Sequence, residues 1–291
     1  MPADLTSAMI LAASSAWTQV LQLGPYVAGG ILLAALAAQL DLPRRWAGRL
    51  RGSGSAPVLG GACLGGLSPL CTFGTVPVLV ELLHRGAAPG PALAFLIASS
   101  LLNPQLFIIM TGGLGATLSL AHVASTLLLS LPVGLLAQRL GRETFLHGDI
   151  QAPSPASPGF WAHLARLIEK VGLAFVIGVL LAAVIQTAVP QEWISTLLGA
   201  GRWYSVLIAG VLGVPFYACG GGAVPVIAGL LDQGMSPGAA LAFFLAGPAT
   251  RVTALAALGT LLNRRALIAY VAYVVAGAAL AGTILNLVLG S

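Results

Sequence analysis

The sequence predicts an all-α polytopic membrane protein built from two inverted-topology repeats, and three observations support this fold class. Of the 291 residues, 58% are hydrophobic and only 7% are charged, which leaves too few polar side chains to cover a water-soluble surface. Several apolar stretches exceed the roughly 18 residues that indicate a membrane-spanning helix. A segment with the same helix-breaking residues also occurs twice, at Gly66–Phe95 and at Val214–Phe243.

The two copies align when residue numbers differ by 148, as they do for Cys71 and Cys219. About half of the aligned positions are identical, including Gly74/Gly222, Pro77/Pro225, Gly86/Gly234 and Pro89/Pro237. Helix breaks at equivalent positions in two halves of a membrane chain are typical of a transporter's substrate site.

Each half predicts four segments in the same order. A long apolar span comes first (Leu21–Leu40 and Leu164–Ala188), then a break-rich segment (Ala56–Leu83 and Ser205–Leu231), an interrupted span (Pro89–Gly115 and Pro237–Leu262) and a plain span (Thr117–Gln138 and Ala266–Leu289). We therefore divide the chain into a first membrane repeat at residues 1–138, a cytoplasmic linker at 139–161 and a second membrane repeat at 162–291.

The distribution of arginines indicates that the two halves have opposite orientations. Four arginines follow the first span, whereas Arg264 and Arg265 precede the last span of the second half, and arginine-rich loops stay in the cytoplasm. Opposite orientations require an odd number of crossings in each half. We satisfy this by making each break-rich segment a re-entrant hairpin, whose arms of about 13 residues reach roughly 20 Å. Six full spans and two hairpins result; eight spans in parallel halves is the alternative.

The two repeated cysteines are the leading candidates for substrate binding. Cys71 and Cys219 lie at the predicted hairpin tips, which meet near the middle of the membrane in an inverted repeat. Sulfur ligands select soft cations and metalloids, so these thiols are candidate metalloid ligands. Small buried cysteines also serve as packing residues, which is the alternative for this pair. Cys63 has no repeated counterpart and is expected to pack in the interior.

Other residues of the tips complete the candidate site. Gly74, Gly220, Gly221 and Gly222 allow backbone amides to approach a ligand, and Tyr217 offers a hydroxyl for hydrogen bonding. Pro77 and Pro225 are expected to begin the return arms of the hairpins, where a missing amide proton does no harm.

A second pair of breaks is predicted at Asn103-Pro104 and at Gly247–Arg251. Arg251 is a charged residue within a membrane segment and therefore a candidate for binding an anionic substrate; its alternative role is to reach the membrane surface. Asn103 aligns with Arg251 and is expected mainly to cap the break. Few carboxylates or histidines lie in the apolar segments, which argues against proton coupling through a side chain.

At SPLCTFGTVP and VPFYACGGGAVP the chain resembles the predicted permease family that includes ArsP, the bacterial exporters of trivalent organoarsenicals. The resemblance extends from about Tyr26 to Leu289. The chain departs from the family's tip at Phe73, which stands at the place of a second thiol, and at Tyr217, which stands at the first thiol position of the second tip.

The resemblance implies a multi-pass permease of the bacterial inner (plasma) membrane, not an enzyme, that moves a small thiophilic solute such as a trivalent organoarsenical outward. It implies a lipid bilayer and a small molecule as partners, no nucleic acid, no cofactor and no resident metal; a homo-oligomer stays open. A permease for a sulfur oxyanion or organic acid that uses Arg251 is the first alternative. A membrane thiol oxidoreductase that uses Cys71 and Cys219 is the second.

Overall fold

The computed structural model describes residues 50–52, 54–68, 75, 78–80, 82–83, 86–141, 197–199, 203–213, 220–250 and 262–290, with isolated residues elsewhere. The regular structure in these ranges is helical. Its eight helices are α1 Ser55–Leu67, α2 Pro89–Leu101, α3 Pro104–Leu114, α4 Ala116–Leu140, α5 Trp203–Gly213, α6 Gly220–Asp232, α7 Pro237–Thr250 and α8 Arg264–Leu289.

Three stretches of the described chain are long and apolar enough to cross a membrane. They are α2 with α3 (Pro89–Leu114, 26 residues), α4 (25 residues) and α8 (26 residues), and they confirm three of the six predicted spans. The span predicted at Pro237–Leu262 is helical as α7 up to Thr250. The spans predicted at Leu21–Leu40 and Leu164–Ala188 lie, apart from single residues, outside the described residues.

The centre of the molecule is formed by α2 and α7. Every residue from Gly90 to Leu101 in α2 is buried, and α7 is buried from Gly238 to Thr250 except at Pro248. Helix α2 packs between α1 and α4, and α7 packs between α5 and α8. Helices that are apolar on all sides, as these are, belong in the interior of a bundle.

The same turn precedes both central helices. The amides of Gly86 and Gly234 bond to the carbonyls of Leu83 and Leu231, at 3.1 and 3.0 Å. Both glycines have positive φ, +86° and +100°, a conformation that glycine adopts without the strain a side chain would cause. The next amides bond in the same way in both copies, including Ala88 to Leu50 and Ser236 to Leu198. The repeated glycine of the sequence therefore has a structural role in each half.

A close helix crossing is also repeated. Gly90 of α2 lies against Gly134 of α4, and Gly238 of α7 lies against Gly282 of α8; in each pair an added Cβ would overlap the partner's backbone oxygen. Small residues at such crossings let membrane helices approach closely. The positions again differ by 148, so the sequence repeat extends to local packing. The inverted orientation of the halves stays a prediction.

The two halves contact each other through α2, α3 and α4 on one side and α6, α7 and α8 on the other. The hydroxyl of Tyr273 in α8 donates to the carbonyl of Leu129 in α4 at 2.9 Å. The Leu129 side chain fills the space that a Cβ at Gly277 would need. The halves thus share one apolar core.

Two prolines lie inside helices, contrary to the sequence-based expectation. Pro225 is the sixth residue of α6 rather than the start of a return arm, and Pro248 lies within α7 rather than at a break after Gly247. Each removes one backbone hydrogen bond. Membrane helices tolerate this loss where neighbouring helices and local adjustments satisfy the freed carbonyl, so neither proline marks a helix end.

Candidate functional site

Most of the predicted binding residues lie outside the described residues. These are Cys71, Gly74, Tyr217, Cys219 and Arg251. Asn103 and the glycines Gly220, Gly221 and Gly222 are described, together with side chains close in sequence to both cysteines. The described part of the candidate site therefore consists of the end of α2, the start of α3 and the start of α6.

The long apolar stretch Pro89–Leu114 is interrupted at Leu102 and Asn103. Helix α2 ends at Leu101, two extended residues follow, and α3 begins at Pro104. The Oδ1 of Asn103 accepts a hydrogen bond from the Leu106 amide at 2.7 Å, which satisfies one of the unpaired donors at a helix N-terminus. The cap predicted for Asn103 is confirmed, and its role in binding stays a prediction.

Hydroxyl groups collect on the buried side of this interruption. Thr75 and Ser99 are joined by a hydrogen bond of 2.6 Å between their hydroxyl oxygens, and both are almost completely buried. Thr75 follows Cys71 by four residues, so the segment after the first predicted tip reaches the end of α2. Ser100 donates to the Leu96 carbonyl at 2.7 Å.

A histidine also reaches the interruption, from α4. His122 is fully buried, and its Nε2 lies 3.0 Å from the carbonyl oxygen of Leu101, the last residue of α2. A carbonyl oxygen only accepts, so Nε2 carries the proton of this bond. The ring also meets Phe244 of α7 edge-on, with ring centres 6.3 Å apart. His122 therefore contacts both halves of the chain.

Two more buried polar side chains are Thr126, on the same helix as this histidine, and Tyr270, at the matching position of α8. Thr126, one turn beyond His122, has a hydroxyl without a hydrogen-bond partner among the described residues, as has Nδ1 of His122. Tyr270 occupies the position of α8 that corresponds to His122 and lies near Ser100. It also lines an apolar groove of about 210 Å³ between α2, α4 and α8.

Gly220, Gly221 and Gly222 are helical and lie at the start of α6, where the sequence predicts an irregular tip. The first four amides of a helix have no partner within it, and together with the helix dipole they attract anionic groups. Helix α6 packs against α3, the helix that begins at the interruption of the first half. The second predicted tip is thus followed by a helix that contacts the first half.

Cys63 is exposed on α1, which contradicts the expectation that it packs in the interior. It lines a groove of about 340 Å³ together with Leu102, Pro104 and Phe107. The residue faces away from α2 because Gly61 and Gly65 occupy that contact. A thiol therefore lies beside the interruption, on its outer side.

The chemistry of this region is polar but uncharged in the described chain. Helices α1, α2, α3 and α7 contain no acidic or basic side chain, and the described residues include no cluster of three metal-ligating side chains. Hydroxyls and two helix ends can hydrogen-bond a small neutral or anionic solute.

His122 is not among the functional residues predicted from the sequence. Its signal was available, since an ionisable residue inside a membrane span is a functional candidate by default, and His122 stands seven residues into α4. Carboxylates are scarce in the described spans, as expected. His122 is an ionisable residue of α4 that this expectation did not name.

The chain was compared with known proteins. A family model described as "Predicted permease" matches residues 4–287. The protein YraQ of Escherichia coli, of the UPF0718 group, is 35% identical over 90 residues, which are 31% of this chain and 26% of that protein. The UPF0718 protein MJ0584 of Methanocaldococcus jannaschii is 28% identical over 123 residues, 42% of this chain and 34% of the relative.

A third relative, the UPF0718 protein YcgR of Bacillus subtilis, is 35% identical over 85 residues, 29% of each chain. The matches therefore span about a quarter to a third of the length of these curated relatives. No solved structure matches the chain significantly.

Proposed function

Because the chain belongs to this family of predicted permeases, we propose that it is a multi-pass permease of the bacterial inner (plasma) membrane that moves a small solute as a secondary transporter. The observation that carries this proposal is the interruption of a membrane-length stretch at Leu102 and Asn103, with buried polar side chains gathered around it. Non-helical backbone within a membrane survives only where protein or a water-filled cavity surrounds it. An interruption lined by Thr75 and Ser99 meets that condition and offers hydrogen bonds to a solute.

The inverted arrangement of the halves belongs to this proposal. The turns before α2 and α7 and the crossings at Gly90 and Gly238 recur at positions 148 apart. The helices next to the predicted tips are short, 13 residues in both α1 and α6, which suits arms that enter the membrane without crossing it. Two such halves in opposite orientation would expose a shared site alternately to the two sides.

We propose that the solute is thiophilic, with a trivalent organoarsenical moved outward as the leading candidate. Cys71 and Cys219 would bind it, with Tyr217 and the glycines Gly74 and Gly220–Gly222 around it. Described residues that follow both cysteines in the sequence support this: Thr75 bonds Ser99 at the end of α2, and α6, whose first described residue is Gly220, packs on α3. Asn103 caps the N-terminus of α3.

A small anion is the second candidate substrate, because Gly220, Gly221 and Gly222 lie at the described start of α6 and the first amides of a helix favour an anion. Arg251 follows the last described residue of α7 and would supply the positive charge. In this case the cysteines are packing residues. A sulfur oxyanion or an organic acid has the required chemistry.

The proposal is tested by methylarsenite accumulation in everted membrane vesicles. We expect the native protein to accumulate it and the Cys71→Ser/Cys219→Ser variant to lose accumulation at equal expression. Cys63→Ser is the matched control, since it removes the third cysteine of the chain, which itself lies beside the interruption, and should leave accumulation unchanged. No accumulation by the native protein would reject the organoarsenical; loss of anion uptake in Arg251→Leu, with Cys71→Ser silent, would establish the second candidate.

A further inference from the structure

We propose that His122 binds and releases a proton during each transport cycle and thereby couples solute movement to a proton gradient. The inference rests on the proposed transport function and goes beyond it by naming the coupling ion and its binding atom. It stands on the position of one fully buried imidazole between the end of α2 and the central helix α7.

The hydrogen bond of the imidazole fixes where the proton is taken up. Nε2 donates to the Leu101 carbonyl at 3.0 Å, so the neutral ring holds its hydrogen there and carries its lone pair on Nδ1. An incoming proton therefore forms an N–H bond at Nδ1, and the bond to Leu101 persists in both charge states. Nδ1 has no hydrogen-bond partner among the described residues, so its lone pair is not engaged in a hydrogen bond in the described arrangement.

The surroundings of His122 favour its neutral form in the described conformation. Helices α1, α2, α3, α7 and α8 surround α4, and their described residues present no carboxylate to the ring. Their titratable groups are Cys63 of α1, exposed in its groove, and Tyr270 and Tyr273 of α8; Arg264 and Arg265 lie at the exposed start of α8, and Arg139 at the far end of α4. A buried cation without a counter-charge is unfavourable. Protonation therefore requires a conformation in which Nδ1 reaches water.

This difference between conformations is what proton coupling needs. A ligand shifts a conformational equilibrium only when it binds the two states with different affinity. A proton taken from water on the acidic side would stabilise the conformation in which Nδ1 is hydrated, and the Nδ1–H proton passes to water on the other side when the site opens there. Thr126, whose hydroxyl lies one turn further along α4 without a described partner, is placed to share hydrogen bonds with that hydrated state.

His122 is also placed to transmit its charge state to the interruption. Its bond ends on Leu101, the residue at which α2 stops, and its ring meets Phe244 in the other half. Movement of the ring toward water therefore pulls on the broken segment and on the contact between the halves. A histidine that only fastened α2 to α4 would make the same bond but would not need to change its charge.

The variant His122→Gln separates proton binding by His122 from a purely structural role in fastening α2 to α4. The glutamine amide can donate to the Leu101 carbonyl as Nε2 does, but it cannot bind a proton. The assay uses everted vesicles with methylarsenite in two modes: accumulation driven by an acidic interior, and exchange of labelled for unlabelled solute without a gradient. We expect exchange within about twofold of the native rate and gradient-driven accumulation lowered at least tenfold.

Ser130→Ala is the matched control, because Ser130 is a buried hydroxyl of the same helix bonded only locally, to the Leu127 carbonyl; both modes should be unchanged. Gradient-driven accumulation that survives in His122→Gln overturns the inference. Native accumulation that a protonophore does not reduce overturns it as well, while leaving the transport function intact.

A readout without substrate separates failure of this inference from failure of the transport function. The ¹⁵N signals of the His122 ring in the purified protein should change from the neutral to the imidazolium pattern as the pH is lowered from about 8 to 5, because the proton stabilises the conformation in which Nδ1 is hydrated. Signals that stay neutral across this range overturn the inference, whether or not methylarsenite is transported. Absence of exchange by the native protein, with a titrating His122, would instead count against the proposed substrate.

Discussion

The crossing of α7 and α8 gives the sharpest prediction about what holds the second half together. We expect Gly282→Ala to destabilise the folded protein, because the new Cβ would lie 2.6 Å from the Val206 side chain and would overlap the Gly238 carbonyl. Overpacking of this kind costs about 1–3 kcal/mol. If α7 and α8 separate to relieve it, the bond of 2.7 Å between the Gly238 amide and Asn286 Oδ1 is also lost, for about 1 kcal/mol more.

Thermal unfolding in detergent measures this loss. With a total near 2–4 kcal/mol, the melting temperature should fall by about 5 °C or more. Gly60→Ala is the matched control, since a Cβ at Gly60 of α1 meets no atom within 4 Å; it should melt at or slightly above the native temperature, because alanine favours a helix over glycine. Equal melting temperatures for the two variants would refute the close crossing.

Three further predictions follow from the described contacts. Asn286→Ala removes the bond to the α7 amide and a second to Ser236, and should lower the free energy of unfolding by about 1–3 kcal/mol; a neutral result in chemical unfolding would show that water replaces the bond. Asn103→Ala should cost about 1 kcal/mol through loss of the α3 cap and Asn103→Asp much less, and equal melting of the two would contradict a capping role. Cys63, exposed beside the interruption, should react with N-ethylmaleimide in a folded variant that keeps only this cysteine, whereas complete protection would contradict its exposure.

The sequence predicted the elements that depend on residues close to one another in the chain. The helices that cross a membrane follow from apolar length, and α4 and α8 lie where they were expected. The interruption at Asn103 follows from an Asn-Pro pair, since asparagine caps a helix that proline begins. The repeat was visible because glycines such as Gly86 and Gly234 serve a left-handed turn that tolerates little else.

The errors arose where neighbouring helices decide the outcome. Pro225 and Pro248 read as helix ends in isolation, but packing within the bundle keeps both inside helices. Cys63 read as interior because its surroundings are glycine-rich, but the glycines themselves face α2 and turn the thiol outward. The role of His122 depends on contacts with Leu101 and Phe244, 21 and 122 positions away, which no local pattern reveals.

The proposed substrate site is shared by the two halves of the chain, with one thiol from each. The most direct test of this sharing is the amount of arsenic retained by the purified Cys63→Ser protein after methylarsenite treatment and removal of free reagent. Bonding of one methylarsenite to two thiols releases two waters, so a shared site predicts one arsenic atom per chain, lost on replacing either Cys71 or Cys219 by serine. Two atoms per chain, or retention that survives the loss of one thiol, would contradict a shared site.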